Sequence, residues 1–176
     1  MARVSFVEKD RAHPMVKDLY EKNEAKTGRI INLAKVMGHC PHIGLNFQRL
    51  GNSILTGEEL SPKLRELAIL RVGNLAQSED EFTQHTAIAQ RCGVTRAQID
   101  DIPRWTTSQR FDSQERAVLA YTDEVARDVS VSDGTFARLR SVFSEHEIVE
   151  LTAAIGYYGM VCRILVALQI ELEPGS

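Results

Sequence analysis

The sequence predicts an all-α protein, a single helical domain, on three observations. Helix-capping residues precede apolar runs at Ser61, Ser78, Thr95, Asp112 and Ser144. Within those runs the apolar residues recur three to four apart, the period of a helix face. No segment alternates apolar and polar residues between tight-turn signals, as a hairpin requires. At 176 residues the chain is long enough for one real core, so the expectation is a single domain over 1–176. Residues 1–13 read as an irregular lead and 173–176 as a frayed tail.

In chain order, Pro14 opens a first helix to about Lys26, with Val16, Leu19 and Tyr20 on one side, and Gly28 interrupts it. Ile30–Met37 is a short apolar segment in helical form. Pro41 restricts the residue before it and forces a break. His42–Leu55 follows, with Ile43, Phe47, Leu50 and Ile54 at helical spacing. Ser61-Pro62 is an N-cap with proline at the first helical position, where the missing N–H costs nothing. Ser78-Glu79-Asp80-Glu81 has the form of a capping box, starting a helix that Gly93 is placed to stop. Thr95–Gln98 is a second box on a short helix ending near Pro103, and 105–111 is a connector holding the only tryptophan. Asp112 opens the next helix, Ser130–Asp133 a short one with Phe136, Leu139 and Val142, and Ser144–Glu147 a further box. From Ile148 to about Leu172 the chain is continuously helix-compatible, with Gly156 and Gly159 weakening its middle.

Composition excludes several function classes. An apolar share of 43% with 26% charged residues argues against disorder. A formal charge of −3 and no run of Lys and Arg offer no surface for nucleic acid. The three cysteines, Cys40, Cys92 and Cys162, are far apart, without the CxxC of a redox dithiol or a zinc site. His39 and His42 flank Cys40-Pro41 without a carboxylate set around them, so no metal site is expected. The N-terminus lacks the apolar core of a signal peptide, and Arg163 and Gln169 interrupt the apolar stretch 155–170. The expectation is a cytoplasmic protein with no membrane partner.

Chemistry concentrates on residues 61–92. Glu81 and His85 are four apart on one helix and lie one above the other. Glu66 on the preceding helix supplies a second carboxylate if the two helices pack antiparallel. A histidine can exchange a proton near neutral pH, and two acids around it form a relay. Each residue also has a plainer explanation. Glu81 is the acid of a capping box, Glu66 stands near a helix N-terminus, and His85 can be a satisfied helix histidine. Arg71 can clamp a substrate carboxylate or make an ion pair. Of Tyr157 and Tyr158, one can offer a phenol to a pocket while the other packs, and the flanking glycines suggest close approach of a helix or a ligand.

The run Arg65–Ile99 resembles the carboxymuconolactone decarboxylase family, which includes the AhpD-like alkylhydroperoxidases. The likeness lies in Arg65-Glu66-Leu67, Arg71, Glu81-Phe82-Thr83-Gln84-His85, Ala89, Gly93, Thr95 and Ile99. The closing run from Gly156 also looks like the family's last helix. The peroxidase branch carries CxxCxxxH after an earlier glutamate. Here the histidine falls on His85, the glutamate on Glu66, and the two cysteine places on Ser78 and Glu81. The resemblance therefore implies the decarboxylase-like branch that lacks the thiol pair, with neither cofactor nor metal. Asparagines common in family closing helices are absent at Gly159 and near Val166, which implies a reshaped pocket.

The resulting expectation is a cofactor-independent enzyme, a lyase or isomerase. It would use general acid/base chemistry for decarboxylation, isomerisation, hydration or cyclisation. Its small-molecule substrate would be a lactone, carboxylic acid or related carbonyl compound. His85, Glu81 and Glu66 would be catalytic, and Arg71, Tyr157 and Tyr158 would bind substrate. A thiol-dependent alkylhydroperoxidase-like antioxidant enzyme using Cys40 or Cys92 is one alternative. A non-catalytic small-molecule-binding or assembly protein is another. The resemblance also implies a homo-oligomer, a trimer or hexamer.

Overall fold

The computed structural model describes residues 2–57 and 59–173, and of the tail expected to fray at 173–176 all but the first residue lies outside them. Among the described residues there are nine α-helices, one short 3-10 turn and no strand. They are α1 (Pro14–Thr27), α2 (Asn32–Met37), α3 (Pro41–Leu55), α4 (Pro62–Leu75), α5 (Glu79–Arg91), α6 (Arg96–Asp101), α7 (Ser113–Asp128), α8 (Asp133–Arg140) and α9 (Glu145–Leu168). Their contacts divide the chain into two compact units, one of residues 1–53 with 164–176, the other 54–163.

In the first unit, helix starts at Pro14, and the His13 ring caps it by accepting from the Met15 N–H. Val16 and Tyr20 on α1 are fully buried with Ala12, and Val7, Ile30 and Ala34 pack against them. Burying Tyr20 requires a partner for its hydroxyl, which donates to the carbonyls of Val7 at 3.0 Å and Ala34 at 3.2 Å. Gly28 ends α1 with φ +75°, a left-handed geometry that glycine adopts without strain. His39 Nε2 meets the Ser5 carbonyl at 2.8 Å.

The second unit is built around α4. Ten consecutive residues of it, Leu64 to Gly73, are buried, so it is covered on every side rather than along one stripe. It packs against α5 on one side and α7 on another, and the turn Ile102–Arg104 also touches it. A helix enclosed in this way must find internal partners for its charged residues, Arg65, Glu66 and Arg71. Arg71 finds its own on α7. Its Nε and Nη2 make a bidentate pair with Asp123 at 2.6 and 3.0 Å, while Nη1 donates to Asn74 and to the Ile102 carbonyl. Trp105 comes to the same carboxylate, donating to Asp123 at 3.2 Å. The 105–111 connector is thus pinned to the core.

The capping boxes expected at Thr95–Gln98 and Ser144–Glu147 form, and Asp112 makes a third with Glu115. The box expected at Ser78–Glu81 does not: Ser78 occupies the N-cap position, but its side chain makes no capping bond. α5 stops at Gly93, φ +95°, where the Val94 N–H reaches back to the Ala89 carbonyl. The last helix is shorter than the pattern to Leu172 predicts. It ends at Leu168 because Gln169 turns left-handed at φ +51°, and the Ile170 N–H closes onto Leu165. By length and composition α9 is apolar enough to cross a membrane, but half of the relevant window is buried inside the protein, as in a core helix.

Neither mid-helix glycine of α9 answers to close packing within the chain. A Cβ at Gly156 would meet nothing within 4 Å among the described residues. One at Gly159 would meet only the guanidinium end of Arg163, which folds back onto the Gly159 carbonyl.

Candidate active site

The packing of α4 on α5 brings Glu66, Glu81 and His85 together. His85 Nδ1 hydrogen-bonds Glu66 Oε2 at 2.7 Å, and its Nε2 lies 3.0 Å from Glu81 Oε1. The second contact is an ion pair along the helix, one turn apart. All three groups are removed from solvent, with Glu66 0%, Glu81 5% and His85 6% exposed. Glu81 is therefore not the acid of a helix cap. Its carboxylate turns along the helix to the imidazole one turn on, and the cap is left unmade.

The electrostatics follow from this placement. Burial disfavours a charged imidazole, but hydrogen bonding and charge from Glu66 and Glu81 outweigh it and raise the His85 pKa to about 9. At neutral pH the ring is an imidazolium held between two carboxylates, able to give a proton from either nitrogen.

Tyr158 of α9 stands edge-on to the His85 ring, centroids 4.8 Å apart, and Tyr157 stands edge-on to Tyr158 at 5.2 Å. Burial, and then the charge of Glu81, push both phenols above their ordinary pKa, so they remain neutral. Arg71 is not brought into this cluster, because four hydrogen bonds tie it to Asp123, Asn74 and Ile102.

Sequence reasoning left three neighbours of the site without a role. Arg65 is buried, and its Nε lies 3.7 Å from Glu66 Oε1. Its signal was a charge inside the run Leu64–Val72, whose apolar residues leave no face for solvent. Ser78 is buried, and Cys162 of α9 lies beside it and within electrostatic reach of Glu81. Burial pushes the Cys162 thiol up to about 12. Burial and the charge of Glu66 also raise the Cys92 thiol. Among the described residues, no group of three or more His, Cys, Asp and Glu is placed to hold a metal ion.

Fold and site together define an all-helical protein with a buried acid–imidazole–acid cluster shared between two neighbouring helices. Residues 41–124, which contain all three groups, match the model of the carboxymuconolactone decarboxylase family. No curated protein matches the chain. Among solved structures it resembles an alkylhydroperoxidase AhpD core, a peroxidase-related protein of Ralstonia eutropha. That likeness has 16% identity, 98% of this chain and 93% of that one covered, and a TM-score of 0.87. A putative antioxidant defence protein AhpD of Agrobacterium tumefaciens is 25% identical, covering 78% of this chain and 95% of its own, with a TM-score of 0.74. The debrominase Bmp8, solved with 2,3,4-tribromopyrrole, is 21% identical, covering 99% and 95%, with a TM-score of 0.82. These likenesses carry the AhpD-like fold, and the family and its neighbours include enzymes.

Proposed function

We propose that this protein is a cofactor-independent enzyme whose proton donor is the His85 imidazolium. Glu66 and Glu81 hold and reload it during general acid/base chemistry on a small lactone, carboxylic acid or related carbonyl compound. The observation that carries this reading is the double contact of one buried ring, 2.7 Å to Glu66 and 3.0 Å to Glu81. A carboxylate at each nitrogen fixes the ring's orientation and lets a proton lost from one side be replaced from the other. With a pKa of about 9, the free enzyme begins its cycle as the acid, and the histidine becomes the base only after donating. Decarboxylation, isomerisation, hydration and cyclisation all fit one such transfer and return.

Two alternatives have less support. A purely structural protein has no use for a Glu81 that forgoes its cap to reach a buried histidine. A thiol nucleophile of that kind, Cys40 or Cys92, needs a depressed pKa, whereas burial raises the Cys92 thiol, and Cys40 is exposed to solvent. We further propose, from the family resemblance, a cytoplasmic homo-oligomer, a trimer or hexamer, whose stoichiometry sedimentation velocity would give.

The test is His85→Gln against a panel of lactones and small carboxylic acids. Once a wild-type substrate is found, the variant should turn it over about 10²–10⁴-fold more slowly, the contribution of one positioned proton donor. Wild-type activity should also fall as pH rises through about 9, where the donor loses its proton. Turnover unchanged in a folded His85→Gln protein would sink the proposal.

A further inference from the structure

Arg65 completes a pattern of charge in the core of the second unit. Glu66 meets a different cation at each of its two oxygens. Oε2 lies 2.7 Å from His85 Nδ1, and Oε1 lies 3.7 Å from Arg65 Nε. On the far side of the ring, Glu81 Oε1 lies 3.0 Å from His85 Nε2. Arg65, Glu66, His85 and Glu81 thus form a row of alternating sign, and all four are buried. The two carboxylates are not equivalent. Among the described residues Glu81 has His85 as its one cation within 4 Å, whereas Glu66 is shared between two.

A buried ion pair is weak evidence for stability, since apolar residues of similar volume often do as well. In acid chemistry the row does have a use. Two carboxylates against one imidazolium hold its proton tightly, and a donor that holds too tightly is a poor acid near neutral pH. A guanidinium at the outer oxygen of Glu66 competes for the same negative charge. With His85 protonated the row is neutral, and once the ring gives up its proton it carries one net negative charge rather than two. Arginine suits this place because a guanidinium does not itself deprotonate in proteins. The other groups around the ring are Tyr157, Tyr158 and Cys162 of α9 and Cys92 just past α5. Burial is the first cause that raises each of them, and they carry no charge there. At Tyr158 and Cys92, Glu66 adds to the rise and Arg65 opposes it, so the field of the guanidinium extends around the ring.

From this arrangement we infer that Arg65 is the positioning residue that makes His85 a releasable acid: it engages the outer oxygen of Glu66 and weakens that carboxylate's grip on the ring proton. The inference rests on the acid/base reading above and adds the residue that governs how readily the donor lets go. Arg65 needs no contact with substrate for this, because it acts by way of Glu66.

The experiment follows the His85 ring by NMR through a pH titration of the full-length protein without ligand. The wild-type midpoint should lie at about 9. Arg65→Gln, which removes the charge and keeps a polar side chain, should move it upward by about one pH unit, the size expected of one neighbouring charge. Arg65→Lys, which keeps the charge, should return most of that shift. An arginine that only fills space predicts the opposite sign or none. Its loss would admit water and bring the midpoint down toward the ordinary 6.5, or leave it in place. Either result would overturn the inference, as would Arg65→Lys titrating like Arg65→Gln. Should Arg65→Gln not fold, Glu66→Gln is compared with the double variant Arg65→Gln/Glu66→Gln, from which the pair is removed whole. The guanidinium then opposes the imidazolium in the single variant alone, so the midpoint should be higher in the double one, and an equal or lower midpoint overturns the inference. The wild-type curve separates the two readings. A midpoint near 9 that Arg65→Gln does not raise overturns only the role of Arg65, whereas an ordinary wild-type midpoint removes the acid reading beneath it.

Discussion

The wild-type protein should lose stability as pH rises from about 6.5 to about 9, and His85→Gln should show no such loss. In the unfolded chain the histidine titrates near its ordinary 6.5, whereas Glu66 and Glu81 hold it up at about 9 when folded. Between those values the native state carries a proton that the unfolded state lacks, so folding is linked to proton uptake. The contribution is complete below about 6.5, declines through the window and is gone above the folded pKa. Its size is on the order of 3 kcal/mol, since each pH unit between the unfolded and folded pKa is worth about 1.4 kcal/mol. The measurement is a series of denaturant unfolding curves from pH 6 to 10, read as wild type minus His85→Gln so that other titrating groups cancel. A flat difference across that range would mean that the ring folds uncharged. The donor role proposed for it would then fail as well.

Arg71→Ala should cost about 3–5 kcal/mol, the range for removing one partner of a buried ion pair. The guanidinium is 5% exposed and Asp123 16%, so the surviving carboxylate would be left beside the core with Trp105 Nε1 as its donor among the described residues. Arg71→Met combined with Asp123→Leu should recover much of the loss, because apolar residues of similar size remove the uncompensated charge. The recovery should stop short by about the worth of the Trp105 hydrogen bond, roughly 1 kcal/mol. Urea midpoints of the two variants measure both effects. A single variant within about 1 kcal/mol of wild type would contradict the placement of this pair.

How far the site was legible in the sequence depends on the range of each interaction. Glu81 and His85 are local partners, and the i, i+4 rule finds them without any knowledge of the fold. Glu66 needs one further assumption, that consecutive helices pack, and the contact of α4 with α5 meets it. The Ser78–Glu81 pattern misled because capping boxes are a local rule, valid here at Thr95, Asp112 and Ser144. At Ser78 a buried imidazole competes for the same carboxylate and takes it. Arg71 was beyond the reach of pattern, since Asp123 lies 52 residues away on another helix. The helices themselves were legible from caps and periodicity. The exception was the end of α9, where the left-handed turn at Gln169 has no glycine to announce it.

The enclosure of α4 divides the work between scaffold and specificity. Glu66 rides on a segment with neighbours on every flank, so surface substitutions elsewhere scarcely disturb where the inner carboxylate stands. α5 and α9 each keep an open side as well as a buried one, and can drift in sequence without moving that anchor. A lineage could thus retain its proton-handling core while exchanging one small molecule for another.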